Sequence, residues 1–318
     1  MSEFLTIGEP LALMAATQTG RSLVDADQFQ KFAAGAELNV AVGVARLKHS
    51  SAYLTALGRD PFGAFIIKEL QKEGVATDLI QRTGNHWTGF QLKNRVSQGD
   101  PDTFYFRKDS AAAHFDQSQL KRLSFDSLKV FHYTGIFPAI SEDAMTTTYA
   151  LLDQLDQDPE IVTTFDPNLR PTLWANQVEM IQNVNRLAFR AKIVLPGLSE
   201  GRQLTGLKQP EEIADFFLSN SSTTQSVIVK LGAKGAFMKI RDSQAGVIIP
   251  GYHVNQIVDT VGAGDGFAAG LITGLLDHLS LPDAILRGNA IGALAIQSPG
   301  DHDGYPDVKA LEQFQERQ

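Results

Sequence analysis

Apolar positions along the chain follow two rhythms that exchange repeatedly. Short apolar runs such as 4–9, 51–58, 130–135 and 161–166 end at glycine, aspartate or glutamate, as buried strands do. Between them lie helical spacings. A helix is expected from Asp60-Pro61 to Glu73, with Gly74 just past its end. Another is expected over 142–155 and a third over 282–297, while Phe267, Leu271 and Leu275 recur at i, i+4, i+8. The alanine-rich stretch 33–47 reads as a tight turn into a closely packed helix, and the tail reads as a final surface helix. Strand–helix alternation at this spacing is the pattern of an α/β fold. Further strands are expected at 193–200, ending on Glu200, and at 226–238, where a Gly turn separates two strands; 246–249 and 257–258 also read as strand.

The rhythm breaks at 87–113. Residues 88–93 and 103–107 alternate, and the turn formers of 97–102 lie between them. This hairpin, with short strands near 11–14 and 29–32, is assigned to a small β layer apart from the main sheet. Arg107, after Phe104-Tyr105-Phe106, reads either as a solvated strand end or as a ligand group.

Composition narrows the function. The chain has 318 residues, 43% of them hydrophobic and 20% charged, enough for a sizeable core. The net charge of −8 disfavours non-specific nucleic-acid binding. The chain has no cysteine, which excludes disulfides, thiolate catalysis and thiolate metal sites. No apolar run approaches the roughly 18 residues of a membrane span, and no secretory signal is visible, so a cytoplasmic protein is expected. P-loop, dinucleotide-binding and serine-elbow spacings are missing, and the histidines lack metal-ligand spacing.

The stretch 259–270 carries the strongest candidate chemistry. A glycine-rich turn separates strand-like from helix-like sequence and holds Asp259 and Asp265. Free amides at a helix start attract anions. Asp265 beside them is either an N-cap or a base acting on a group whose partner the amides hold. Glu37 and Asn39 are polar within an apolar stretch; a cap and a satisfied core amide compete with a sugar-hydroxyl site. Polar residues after strand 161–166 lie where open α/β sheets bind ligands.

Asp259-Thr260-Val261-Gly262-Ala263-Gly264-Asp265 resembles the D-T-x-G-A-G-D signature of the ribokinase (PfkB) family of carbohydrate kinases. The likeness extends over nearly the whole chain. Residues 34–39 resemble the early G-G-x-x-x-N signature, with Ala34 for the first glycine, and 166–170 resemble D-x-N-x-R. Residues 197–200 resemble N-x-x-E, with Gly197 for asparagine, and 230–235 resemble the nucleotide-side K-x-G-x-x-G turn. Glutamate within the first signature, the segment 104–108 and Gly300-Asp301-His302-Asp303-Gly304 are similar to the 2-keto-3-deoxygluconate kinases of that family.

The resemblance implies a single domain over 1–318: a ribokinase-like three-layer α/β/α core with a mainly parallel sheet, and a small β-sheet lid from about 10–33 and 87–113. It implies transfer of a phosphoryl group from ATP, with Mg²⁺, to the primary hydroxyl of 2-keto-3-deoxygluconate. Asp265 would be the base, the amides of Gly262, Ala263 and Gly264 the anion hole, and Arg170 a contact to substrate or phosphoryl. Gly35, Ala36, Glu37, Asn39, Gln91, Tyr105, Arg107, Asp259 and Asp301 would form the sugar side. Asn168, Ser199, Lys230, Gly232, Ala233, Gly235 and Asn289 would form the nucleotide side, with Glu200 in the outer shell of the metal. A planar guanidinium at Arg107 would suit a sugar carboxylate. Homo-oligomers through the lid sheet are expected, with no membrane or nucleic-acid partner. A fructokinase or ribokinase, a nucleoside kinase and a non-catalytic sugar or nucleotide sensor are the rival readings.

Overall fold

The structure is a computed structural model that describes residues 2–97 and 101–316. Nine strands form one sheet and four form a second. In chain order the elements begin with β1 (Phe4–Ile7), β2 (Leu11–Thr19), β3 (Phe29–Ala34), α1 (Ala36–Arg46), β4 (Ser51–Gly58) and α2 (Pro61–Lys72). Then come β5 (Ile80–Thr83), β6 (Phe90–Arg95), β7 (Thr103–Phe106), β8 (Val130–Thr134), α3 (Glu142–Leu155), β9 (Val162–Asp166) and α4 (Gln177–Ala188). The chain continues through β10 (Ile193–Val194), α5 (Leu198–Thr205), α6 (Pro210–Asn220), β11 (Ser226–Lys230), β12 (Ala236–Ile240) and β13 (Val247–Ile249). It ends with α7 (Ala263–Leu276), α8 (Leu281–Ala295) and α9 (Val308–Glu316).

The large sheet runs β13-β12-β11-β10-β9-β8-β1-β4-β5, parallel except where β12 meets β11 and β13. Period-2 alternation sends neighbouring residues to opposite faces. Leu5, Phe131, Val194 and Val227 join a core with α3, α4, α5 and α6. Phe4, Val130, Ile193 and Ile228 join a second core with α1, α2, α7 and α8. Both faces are therefore apolar and covered, which is why the central strands read as continuous hydrophobic runs. The result is the three-layer α/β/α arrangement with a mostly parallel sheet.

The small sheet runs β3-β2-β6-β7. Strands β6 and β7 pair antiparallel, with Gln91 opposite Tyr105, as the alternation indicates. Part of the turn expected between them, residues 98–100, lies outside the described residues.

Two strand expectations need correction. Residues 193–200 are not one strand: β10 stops at Val194, and Glu200 lies in the first turn of α5, where its carboxylate accepts the Gly197 N–H at 2.7 Å. Ile257 and Val258 are exposed and belong to no strand; the Val258 N–H bonds the Ile296 carbonyl at 2.8 Å. Strand β5 and helices α4 and α6 were not anticipated. β5 is short and only partly buried, so it lacks an apolar run. α4 does carry a signal, since Asn176 caps it and Met180, Val184 and Leu187 form its buried stripe.

Helix α2 begins as expected. Asp60 caps it by accepting the Gly63 N–H at 2.8 Å, and its other oxygen accepts the Thr88 N–H at 2.8 Å. One carboxylate thus ties a core helix to the root of the small sheet. Asp60→Ala should lower unfolding free energy by about 1–2 kcal/mol, from the lost cap and the orphaned Thr88 amide. Urea denaturation measures this; an unchanged midpoint would show both amides finding other acceptors.

Candidate active site

A cavity of about 540 Å³ opens between the carboxyl ends of the parallel strands and the small sheet. Three segments converge at its centre. Helix α1 delivers Asn39, the segment after β9 delivers Asn168, and the first turn of α7 delivers Asp265. Asn39 Nδ2 donates to Asp265 Oδ2 at 2.8 Å, and Asn168 Nδ2 approaches Oδ1 at 3.4 Å. Asp265 is not the N-cap. That position belongs to Gly262, whose φ of 78° is left-handed and where a Cβ would overlap the Asp301 carbonyl. The Gly262 carbonyl accepts from Tyr305 Oη at 2.6 Å and from the Gly266 amide at 2.8 Å. The Ala263 amide leans on the Thr260 carbonyl at 3.4 Å. Among the described residues, the Gly264 and Asp265 amides have no backbone acceptor, so they remain open to an anion.

Burial pushes the Asp265 carboxyl up to about 7, with Asp166 and Asp301 adding to the rise and Asn39 and Lys230 opposing it. Burial likewise carries Glu37 to about 7, against the Thr134 hydroxyl that donates to it at 2.5 Å. Burial also raises Asp301. On the opposite wall Lys230 reaches Asp166. Burial works against its charge, but Asp166, Glu200 and Asp265 hold its pKa above the ordinary value. Glu200 is raised, first by burial and then by Asp166; its two oxygens accept the Leu169 and Gly197 amides at 2.9 and 2.7 Å.

Most of the anticipated residues meet in this one cavity. Gly35, Ala36, Glu37, Asn39, Gln91, Tyr105, Arg107 and Asp301 line one part; Asn168, Arg170, Glu200, Lys230, Gly262, Gly264 and Asp265 line the other. Asp259, Ser199, Gly232, Ala233, Gly235, Ala263 and Asn289 do not line it. Asp259 accepts the Val261 amide at 3.0 Å and faces Lys93 at 3.9 Å, so it braces the turn. Gly235 packs on Ile249 and Pro250, and Asn289 donates to those two carbonyls at 3.3 and 2.9 Å. Ser199 lies in the first turn of α5.

Several residues of the site were not singled out. Glu9 and Lys93 line the cavity. Arg107 is not free: its Nε donates to Glu9 Oε2 at 2.7 Å. Glu9 lies two residues past the end of β1, much as Asp166 ends β9, so the same strand-end rule would have found it. Lys93 lies two residues from Gln91 on one strand face, a period-2 signal. His302, whose Nδ1 lies 3.0 Å from Asn39 Oδ1, falls within the Gly300–Gly304 segment but has no metal-ligand spacing and no role assigned from sequence.

The PfkB family of carbohydrate kinases matches residues 1–308, and this chain belongs to that family. It is therefore a sugar kinase. The 2-dehydro-3-deoxygluconokinase of Bacillus subtilis (strain 168) is 42% identical over 311 residues, covering 98% of this chain and 94% of that protein. A PfkB protein of Polaromonas sp. JS666 superposes with a TM-score of 0.86 at 37% identity, covering 98% of this chain and 99% of that one. A chain from E. coli assigned to ribokinase II, solved in complex with ATP and Mg²⁺, gives a TM-score of 0.86 at 25% identity with full coverage of both chains.

The raised Asp265 pKa carries a sign. The folded protein retains a proton that the unfolded chain releases, so stability falls as pH rises from about 4 through about 7. Asp265→Asn should match wild type near pH 4 and gain about 2 kcal/mol over it by pH 8, discounted because the carboxyl opens on the cavity. Thermal melts of both proteins across that range test this; a constant gap would mean an unperturbed carboxyl.

Proposed function

We propose that this single-domain cytoplasmic enzyme phosphorylates the primary hydroxyl of 2-keto-3-deoxygluconate with ATP, forming 2-keto-3-deoxy-6-phosphogluconate. The observation that carries the reading is the placement of Asp265, fixed by Asn39 at 2.8 Å beside open helix-start amides in a cavity that also holds Arg107. The relative at 42% identity is named for this substrate, 2-dehydro and 2-keto being the same group.

Asp265 takes the proton of the attacking hydroxyl, and a pKa near 7 suits a base working at neutral pH. ATP, when bound, supplies the transferable γ-phosphoryl. The residues fit such an anion: the cap is left-handed glycine, Gly264 presents no side chain, and a Cβ there would lie 3.5 Å from Lys230 Nζ. Of the amides expected to form the anion hole, Gly262, Ala263 and Gly264, that of Ala263 leans on the Thr260 carbonyl and does not line the cavity, so the hole is carried by the cavity-lining Gly262 and Gly264 with the open Asp265 amide, and these stabilise charge on the transferred group. Arg170 stands at the cavity wall to meet substrate or phosphoryl oxygen. Lys230 and Asn168 mark the nucleotide side, with Ser199, the turn Gly232-Ala233-Lys234-Gly235 and Asn289 just beyond the cavity. For Mg²⁺, no group of three His, Asp or Glu suited to a metal occurs among the described residues. Mg²⁺ would be held mainly by the phosphates and water, with Glu200, which lines the cavity, in its outer shell.

On the acceptor side, Gly35, Ala36, Glu37, Asn39, Gln91, Tyr105 and Asp301 surround the sugar, with Asp259 behind them. Arg107 reads the carboxylate that distinguishes a keto acid from fructose. The small sheet is the lid that excludes water from the transfer. Its outer face exposes Phe104 and Phe106, whose ring centroids lie 5.2 Å apart, which supports homo-oligomers through paired lids. No helix among the described residues is long and apolar enough to cross a membrane.

Three outcomes test the reading. A coupled ADP assay with 2-keto-3-deoxygluconate, its galacto epimer, fructose and ribose should favour the keto acid; preference for fructose would mean a fructokinase. Asp265→Asn should bind ATP but lose about 10²–10⁴-fold in turnover, together with the ascending limb of the pH–rate profile near pH 7. Near-normal turnover removes Asp265 as base. Arg107→Leu should weaken the keto acid far more than ATP, whereas equal losses would make Arg107 structural.

A further inference from the structure

Glu9 is buried two residues past the end of β1, and three residues from the two ends of the lid close on it. Arg107, just past β7, donates Nε to Glu9 Oε2 at 2.7 Å and places Nη2 2.6 Å from the same oxygen. Ser110 donates its hydroxyl to Oε1. Gly89, before β6, lies so close that a Cβ would stand 2.6 Å from Oε1. The Glu9 carboxylate is thus wedged between the lid's entry and exit, with 1% of its side chain exposed.

We infer that Glu9 is the positioning residue that sets selectivity for an acidic sugar, a reading that rests on the proposed keto-acid substrate. By holding the Nε–Nη2 edge of Arg107, it leaves the Nη1–Nη2 edge free, and that edge is the fork that matches a carboxylate. Both residues line the cavity, and the Tyr105 ring lies 5.9 Å from the guanidinium carbon. A long, flexible side chain is thereby ordered before substrate arrives, so binding does not carry that entropic cost. The pair also compensates the buried cation and anion, either of which alone would be strongly disfavoured. Selectivity then comes from direction: a carboxylate meets two aligned donors, and a neutral hydroxyl gains little from them.

The test compares wild type, Glu9→Gln and Glu9→Asp, using calorimetric binding of 2-keto-3-deoxygluconate without ATP and steady-state kinetics with the keto acid, fructose and ATP. Glu9→Gln keeps the shape and loses the charge that fixes Arg107. Its Kd and KM for the keto acid should rise about tenfold or more, while kcat stays within about threefold and KM for ATP and fructose within about twofold. Glu9→Asp keeps the charge but retracts it by one methylene, and should raise the keto-acid KM at least about fivefold. In an Arg107→Leu background, Glu9→Gln should add less than about twofold, because both changes remove one function. Parallel losses for keto acid, fructose and ATP would make Glu9 a lid rivet only and overturn the inference. So would an unchanged or lowered keto-acid KM, or full additivity with Arg107→Leu. If wild type itself shows no preference for the keto acid, the substrate reading falls and this inference with it. If wild type prefers the acid and both Glu9 variants keep that preference, only the inference falls.

Discussion

The site depends on one side-chain amide. Asn39 donates to Asp265 and accepts from His302 Nδ1, joining α1, α7 and the loop after α8 through groups 2.8 and 3.0 Å apart. So short a reach requires the helices to pack almost backbone to backbone. The sequence meets that requirement with small residues: a Cβ on Gly43 would come within 2.6 Å of the Ala269 Cβ. The alanine and glycine of α1 and α7 therefore set the position of a carboxylate, not only the density of a core. Tyr305 and Arg46 hold the third segment in place. Tyr305 fastens the Gly262 carbonyl, and Arg46 donates to the carbonyls of His302 and Tyr305 at 2.7 and 3.1 Å.

A kinase chain of net charge −8 has to suppress its own field locally if a nucleotide anion is to enter its cavity. Glu9 is matched by Arg107 and Asp166 by Lys230, and Glu200 is held by two amides. Glu37 and Asp265 are shifted toward neutrality by burial. Asp301 is likewise raised by burial, while the open amides at the start of α7 and the exposed Arg170 add positive character to the cavity. Local dipoles and paired charges decide what the cavity attracts, and net charge says little about it.

Much of the fold was readable because the central strands are covered on both faces and so appear as unbroken apolar runs. The helix over 142–155 was readable because its stripe is regular. The strand expected at 257–258 failed because two apolar residues in a row say nothing about whether a partner strand lies alongside. Glu200 was misplaced for a similar reason: Leu195-Pro196-Gly197 can continue a strand or turn into a cap, and the Glu200 carboxylate returning to the Gly197 amide decides it. In the site, residues inside a long signature were legible. Glu9 and Lys93 were not, because each draws its meaning from a partner distant in sequence, with Glu9 and Arg107 separated by 98 positions.

The lid's topology has a consequence for how the molecule forms. Its two hairpins come from separate stretches of chain, and they meet where β2 pairs parallel with β6, Ala12 beside Phe90. Between those strands the chain builds α1, β4, α2 and β5. A junction closed across so long an intervening segment is entropically costly until that segment is itself compact. The small sheet is therefore expected to form late, with its register depending on the core beneath it. A chain stalled with an incomplete core would also lack the sheet that lines one side of the cavity, so the fold and the cavity are completed together.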